Sequence, residues 1–274
     1  MKRIKFYKMH GLGNDFVVIN RLFDNIDLSP DIIASMACRH TGIGFDQLLI
    51  LDPPTRPGFD FFYRIYNSDG SSAGQCGNGA RCVTLLAQHL QLFTHNKISI
   101  QTASGAMTAT ITNSNTVIVD MGPPEELTTS QTNTKATAYI DDNEWQLVSM
   151  GNPHAITFTQ NLELLDIEPI ALKLQSNPLF TDSVNVGFVR IISDHTAKLR
   201  VYERGAGETL ACGSGACAAA VSAIRTDQAK SPLTLKLAKG ELKISWKPGS
   251  SVMMEGPASL VYEGTFFHPK PPVE

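Results

Sequence analysis

The stretch R-I-Y-N-S-D-G-S-S-A-G-Q-C-G-N-G-A-R-C, Arg64 to Cys82, has a counterpart further along the chain: R-V-Y-E-R-G-A-G-E-T-L-A-C-G-S-G-A-C, Arg200 to Cys217. Aligned on Cys76 and Cys212, Tyr66 and Tyr202 both lie 10 residues upstream (76 minus 66, 212 minus 202), and Arg64 and Arg200 both lie 12 upstream. Each copy reads as a strand, a Gly-rich loop, a cysteine and a helix of small residues. A second spacing repeats as well, since Asn14 to Gln47 and Asn152 to Asn185 are both 33 residues (47 minus 14, 185 minus 152). The register predicts a diverged duplication in which each half contributes one thiol to a shared site.

Outward from these loops the elements follow the same order twice. Ile4 to Asn20 is strand-like, broken by the bend H-G-L-G-N-D that presents Asn14. Ser29-Pro30 supplies a cap and a first-turn proline for a short helix carrying Ile32, Ile33, Met36 and Ala37. Strands are expected over 47–51 and 59–66, a helix over 79–93, and a meander over 98–102, 106–111 and 117–120. Gly122-Pro123-Pro124 marks the border. In the second half, M-G-N-P-H places Asn152 in a bend. A helix over 168–176, strands over 184–192 and 198–202, a helix over 216–225 and a meander over 233–237, 241–246 and 251–255 complete the repeat.

The chain has 274 residues, 42% hydrophobic and 18% charged, a globular balance with room for two domains. A net charge of -3 offers no basic face, so nucleic acid is not an expected partner. The basic amino terminus meets Gly, His and Asn before an apolar run develops, and no apolar stretch reaches bilayer length. The expectation is a cytoplasmic protein with no membrane partner. Five cysteines, Cys38, Cys76, Cys82, Cys212 and Cys217, are an odd set in such a chain and read as thiols, not a disulfide framework.

Cys76 and Cys212 each stand at a helix entrance, where unpaired N–H groups and the positive end of the macrodipole stabilise a thiolate or a substrate carboxylate. Glycines at 77 and 79, and at 213 and 215, would let a ligand approach the backbone. Three uses compete for the pair. Zinc is disfavoured because the within-loop spacings are 6 and 5 (82 minus 76, 217 minus 212) in place of a short knuckle. Dithiol redox chemistry lacks Cys-x-x-Cys but is not excluded by spacing. Proton transfer at carbon needs a base on one face and an acid on the other, which a duplicated loop supplies. Cys38, Cys82 and Cys217 read as packing residues. His10 and His154 neighbour Asn14 and Asn152, as thiol tuners or as structural histidines.

The motifs M-H-G-L-G-N-D-F, G-I-G-F-D-Q, Q-C-G-N-G-A-R-C, M-G-N-P-H, V-N-V-G-F and E-R-G-A-G-E-T-L-A-C-G-S-G-A-C together resemble the diaminopimelate epimerase family and span nearly the whole chain. The resemblance implies an α/β (α+β) fold of two pseudo-symmetric domains. Each would be a curled, mostly antiparallel sheet or barrel around a central helix, with the site in the cleft between them. The domains would cover 1–120 and 121–257, with a last strand near 258–274 returning to the first. It implies a cofactor-free, metal-free homodimer that interconverts LL- and meso-diaminopimelate, with Cys76 taking the proton from the LL isomer and Cys212 reprotonating the opposite face. By the same resemblance Gly77-Asn78 and Gly213-Ser214 are amide pairs around the reacting carboxylate. Asn14, Asn67, Asn152, Asn185, Glu203 and Arg204, with Gln47 beside them, read the remote amino-acid end of this small-molecule substrate. His154 and Glu203 tune the thiols, and Tyr262 is a dimer contact. Ser72, where many relatives carry Glu, and Ser183, where Arg is usual, depart from the pattern. The rivals are a proline or hydroxyproline racemase of similar fold, and a non-catalytic carboxylate-binding or thiol-redox sensor protein.

Overall fold

The computed structural model describes residues 2–24, 26–74, 76–113, 115–127 and 136–268, which divide into two compact units: unit 1 is 1–119 with 257–274, and unit 2 is 120–256. Residues 269–274 of the expected closing strand lie outside the described residues.

Unit 1 opens with the hairpin β1 (Lys2–Gly11) and β2 (Asn14–Asn20), in which Gly11 pairs with Asn14. Helix α1 (Pro30–Ala37) starts as its sequence dictates: Ser29 Oγ accepts the Ile32 N–H at 3.4 Å and Pro30 occupies the first turn. Strand β3 (Gln47–Asp52) runs parallel to β2, and β4 (Phe61–Asn67) returns antiparallel to it, followed by the short β5 (Ser72–Ala73). Helix α2 (Gly77–His89) is buried along nearly its whole length and packs on β1 and β7, the middle strand of the meander β6 (Lys97–Thr102), β7 (Gly105–Asn113) and β8 (Thr116–Asp120).

Unit 2 begins with β9 (Glu125–Glu126), β10 (Thr137–Ile140) and β11 (Asn143–Ser149), of which β10 and β11 form a hairpin absent from the sequence reading. Strand β12 (Pro153–Phe158) is followed by helix α3 (Ile167–Gln175). Strand β13 (Asn185–Ser193) lies parallel to β12, and β14 (Thr196–Glu203) and β15 (Gly207–Thr209) follow antiparallel. Helix α4 (Gly213–Arg225) buries its run Ala216 to Ala220 completely and packs on β11, β12 and β13, which a stripe of small side chains permits at close range. The meander β16 (Leu233–Leu237), β17 (Gly240–Ser245) and β18 (Met253–Pro257) ends the unit. The last strand, β19 (Ser259–His268), pairs antiparallel with β1 of unit 1.

The duplication is visible residue by residue in the ladders. Phe16 sits across from Gln47 and His154 across from Asn185, each two residues after its bend asparagine. Leu48 faces Tyr66 as Val186 faces Tyr202. The parallel pair Phe61 and Ile100 matches Ala197 and Leu235. Each unit has its own core: Ile4, Val17, Ile33, Met36 and Leu48 in the first, and Trp145, Leu147, Leu174 and Phe188 in the second. Among the described residues no helix is long and apolar enough to cross a membrane.

Candidate active site

Both predicted cysteines are N-cap residues. Cys76 has extended backbone (φ -146°, ψ 105°) and its Sγ accepts the Gly79 N–H at 3.3 Å; Cys212 (φ -116°, ψ 111°) accepts the Gly215 N–H at 3.4 Å. Sulfur thus takes the place a Ser or Asp oxygen usually holds, at the positive end of a 13-residue helix. The amides of Gly77, Asn78, Gly213 and Ser214 belong to the first turns, where N–H groups have no intrahelical acceptor.

In unit 1, the Cys76 S–H points at Asn14 Oδ1, 4.0 Å away, and the same oxygen accepts Asn78 Nδ2 at 3.2 Å. Asn14 Nδ2 donates to Asp46 Oδ2 at 2.9 Å, and Arg81 Nη2 donates to Asn78 Oδ1 at 3.0 Å. Gln47 and Asn67, opposite each other on β3 and β4, are joined by Gln47 Nε2 donating to Asn67 Oδ1 at 3.2 Å. Tyr63 donates its hydroxyl to the Cys76 carbonyl at 3.3 Å.

In unit 2, His154 Nε2 lies 3.1 Å from Asn152 Oδ1, Asn152 Nδ2 donates to Ser214 Oγ at 3.3 Å, and Ser214 Oγ is 3.6 Å from Cys212 Sγ. Burial, then Arg204, pushes His154 down to about 3, so its imidazole is neutral and Nε2 carries the proton given to Asn152. The serine hydroxyl, which accepts from Asn152, shares a further hydrogen bond with the sulfur in which either group can donate. Burial, then the Glu203 carboxylate, pushes the Cys212 thiol well above its ordinary range, so Cys212 holds its proton. Glu203 also accepts the Thr209 hydroxyl at 2.5 Å. Asn185 donates to the Pro153 carbonyl at 3.3 Å and accepts the Arg204 N–H at 3.1 Å, while Arg204 Nη1 donates to the Asp182 carbonyl at 2.7 Å.

The structure therefore brings Cys76, Gly77, Asn78 and Asn14 together in unit 1, with Gln47 and Asn67 as a bonded pair. In unit 2 it joins Cys212, Ser214, Asn152 and His154 in one chain, with Asn185 and Arg204 bonded to each other. Tyr262 lies on β19 opposite Lys8, 46% exposed, edge-on to Phe6 with ring centroids 5.9 Å apart.

Two readings are corrected. Gly79 is not held open for a ligand: a Cβ there would come within 2.1 Å of the Tyr63 hydroxyl, so the glycine serves packing of α2 on β4. Cys38 is not a core residue either. It caps the end of α1, half-buried, where the Thr41 hydroxyl donates to its Sγ at 3.1 Å and draws the thiol down to about 7. Cys82 and Cys217 are fully buried as expected, and burial pushes Cys82 up to about 12. Sequence reasoning passed over Tyr63, Asp46 and Arg81. For Arg81 the available signal was a guanidinium in the mostly small and apolar run from Gly77 to Ala87. Among the described residues no group of three or more His, Cys, Asp or Glu side chains could hold a metal ion.

With this geometry in hand, the family model described as diaminopimelate epimerase matches residues 6–127 and 146–261. The diaminopimelate epimerase of Azotobacter vinelandii (strain DJ / ATCC BAA-1303) is 46% identical over 270 residues, covering 95% of this chain and 98% of its own. That of Psychrobacter sp. (strain PRwf-1) is 46% identical over 277 residues, covering 96% and 94%. In fold, the chain is similar to a protein described as a predicted epimerase of Pseudomonas aeruginosa (TM-score 0.70, 15% identity, 97% and 100% covered). It is also similar to a hydroxyproline epimerase of Agrobacterium vitis with bound trans-4-hydroxy-L-proline (TM-score 0.68, 13% identity, 96% and 92% covered).

Proposed function

This chain belongs to the diaminopimelate epimerase family, and from that premise we propose that Cys76 and Cys212 are the two acid–base groups that interconvert LL- and meso-2,6-diaminopimelate. The observation that carries the reading is the pair of thiols capping two matching helices, each with its sulfur on the third amide of the helix. Inverting a carbon through a planar carbanion takes a base on one face and an acid on the other. Cys76 as thiolate removes the α-proton of the LL isomer, the electron pair delocalises into the carboxylate, and the Cys212 S–H delivers a proton to the opposite face. Roles reverse in the other direction. Cys212 kept protonated by burial and by Glu203 suits the donor. The N–H groups of Gly77, Asn78, Gly213 and Ser214 hold the carboxylate as it gathers charge. Asn14, Gln47, Asn67, Asn152, Asn185, Glu203 and Arg204 read the distal amino-acid head.

The same reading makes the enzyme independent of pyridoxal phosphate, of any other cofactor and of metal. It is a cytoplasmic homodimer with Tyr262 at the contact, serving lysine and peptidoglycan precursor synthesis without nucleic-acid or membrane partners. Assaying the purified protein with LL-diaminopimelate and with L-proline separates it from the proline-type alternative, whose substrate has no second charged head for Glu203 and Arg204. Cys76→Ser and Cys212→Ser should each lower turnover on the order of 100-fold or more. Undiminished turnover in both, or racemisation of proline with inert LL-diaminopimelate, overturns the proposal.

A further inference from the structure

Arg81 is a guanidinium with no solvent exposure in the mostly small and apolar first turns of α2, beside Asn78, itself 3% exposed. Taking a cation so far from water is costly unless it is hydrogen-bonded, and Arg81 donates Nε to the Pro257 carbonyl at 3.1 Å and Nη2 to Asn78 Oδ1 at 3.0 Å. Its position in the duplication sharpens the point. Five residues after Cys76 stands Arg81, and five after Cys212 stands Cys217 (76 plus 5, 212 plus 5), so the second helix does without it.

We propose that Arg81 and Asp46 are positioning residues that lock, by hydrogen-bond polarity, which way the Asn78 and Asn14 side-chain amides face beside Cys76. An amide can present either end to a neighbour, but a guanidinium only donates and a carboxylate only accepts. Arg81 Nη2 at 3.0 Å forces Asn78 to turn Oδ1 toward it, which turns Nδ2 toward Asn14, 3.2 Å away. Asn14 must then answer with Oδ1, which sends its Nδ2 to Asp46 Oδ2 at 2.9 Å. The orientation derived from the Arg81 end and the one derived from the Asp46 end agree. Donation therefore runs one way, from Arg81 through Asn78 and Asn14 to Asp46.

The consequence falls on the sulfur. The Asn14 atom facing Cys76 is its carbonyl oxygen, 4.0 Å from Sγ, and not its NH2 group. A carbonyl accepts from S–H and does not stabilise S⁻, so it opposes the Gly79 N–H and the helix dipole, which favour the thiolate. A base that is stabilised too far no longer abstracts a proton, so which end of the Asn14 amide faces the sulfur bears on its part as a base. In unit 2 the corresponding chain runs from His154 through Asn152 to Ser214, whose hydroxyl lies 3.6 Å from Cys212 Sγ in a contact where either group can donate. The two halves thus share their ladders but set different groups beside their thiols, an amide oxygen in the first and a hydroxyl in the second.

This inference rests on the two-base reading, and its test is a double-mutant cycle in the full-length enzyme assayed with LL-diaminopimelate. Arg81→Gln and Asp46→Asn each replace a one-way group with one that can both donate and accept. Each should lower kcat by about 100-fold, as small displacements of reacting groups do, with a rise in KM beside it because Asn14 also reads the distal head. Because both variants release the same pair of amides, the double variant should lose no more than the worse single one. Arg81→Lys, which still only donates, should recover most of kcat. Arg39→Gln removes the exposed Arg39 ion pairs to Asp46 and to Asp15, both at 2.8 Å, while leaving the Asp46 carboxylate and the Lys8 pair to Asp15, and should stay near wild type. Losses that multiply in the double variant overturn the proposal, as does full activity in Asp46→Asn. The latter arm stands even if Arg81→Gln does not fold. Dead Cys76→Ser with multiplicative Arg81 and Asp46 losses would remove this inference and leave the two-base reading standing.

Discussion

At the scale of single residues, the two thiols are held in unlike surroundings although their backbones match. The strand residue after the repeat tyrosine is Asn67 in the first copy and Glu203 in the second, one neutral and one anionic. Glu203 is the second cause, after burial, of the raised Cys212 thiol. Glu203→Gln removes the carboxylate but not the burial, so the Cys212 titration should move downward without returning to the ordinary thiol range. The thiolate is then more populated at any given pH, and the pH profile of alkylation, read on the Cys212 peptide by mass spectrometry, should shift toward acid. A profile that stays put, or moves toward alkali, excludes the carboxylate as a tuner.

At the scale of elements, the entry of α2 depends on a missing Cβ. Gly79 packs where an added methyl would meet the Tyr63 hydroxyl at 2.1 Å and Leu49 methyls at 3.1 Å, while that hydroxyl donates to the Cys76 carbonyl. Gly79→Ala should cost about 1–3 kcal/mol, the usual range for overpacking, seen as a lower denaturant midpoint. Tyr63→Phe removes the atom in the way, so the double variant should recover much of that loss; no recovery would place the strain elsewhere. The same elements explain what could be read in advance. The α1 start was legible because Ser29-Pro30 acts locally, and the 33-residue spacing was legible because it reports the parallel pairs β2/β3 and β12/β13. The β10/β11 hairpin was not, for two physical reasons. Its turn uses Asp141 and Asp142 at φ 50° and 60° without a glycine, and Trp145 to Val148 are buried on both faces, so no alternation marks the strand. Nor was the part of Arg81 and Asp46 legible, because the hydrogen bonds that link them pass through Asn14, which is 32 residues from Asp46 (46 minus 14) and 64 from Asn78 (78 minus 14) in the chain.

At the scale of the whole molecule, the two units differ in how the chain closes them. Unit 2 is one uninterrupted segment, 120–256, whereas unit 1 is completed by β19, whose residues Ser259 to His268 pair along β1 from His10 back to Lys2. Without β19, β1 would keep only its pairing with β2 over Tyr7 to Gly11, leaving Ile4 and Phe6, both buried, on an open edge. Loss of the last strand should therefore unfold unit 1 selectively. The chain offers a clean reporter, because its two tryptophans, Trp145 and Trp246, both belong to unit 2 and are 2% and 8% exposed. Ending the chain at Ala258 should leave tryptophan emission native-like while β1 and β2 lose protection against hydrogen exchange and turnover disappears. If the tryptophan emission instead shifts to that of the unfolded chain, the second core does not stand by itself, and the duplicated halves fold as one cooperative block.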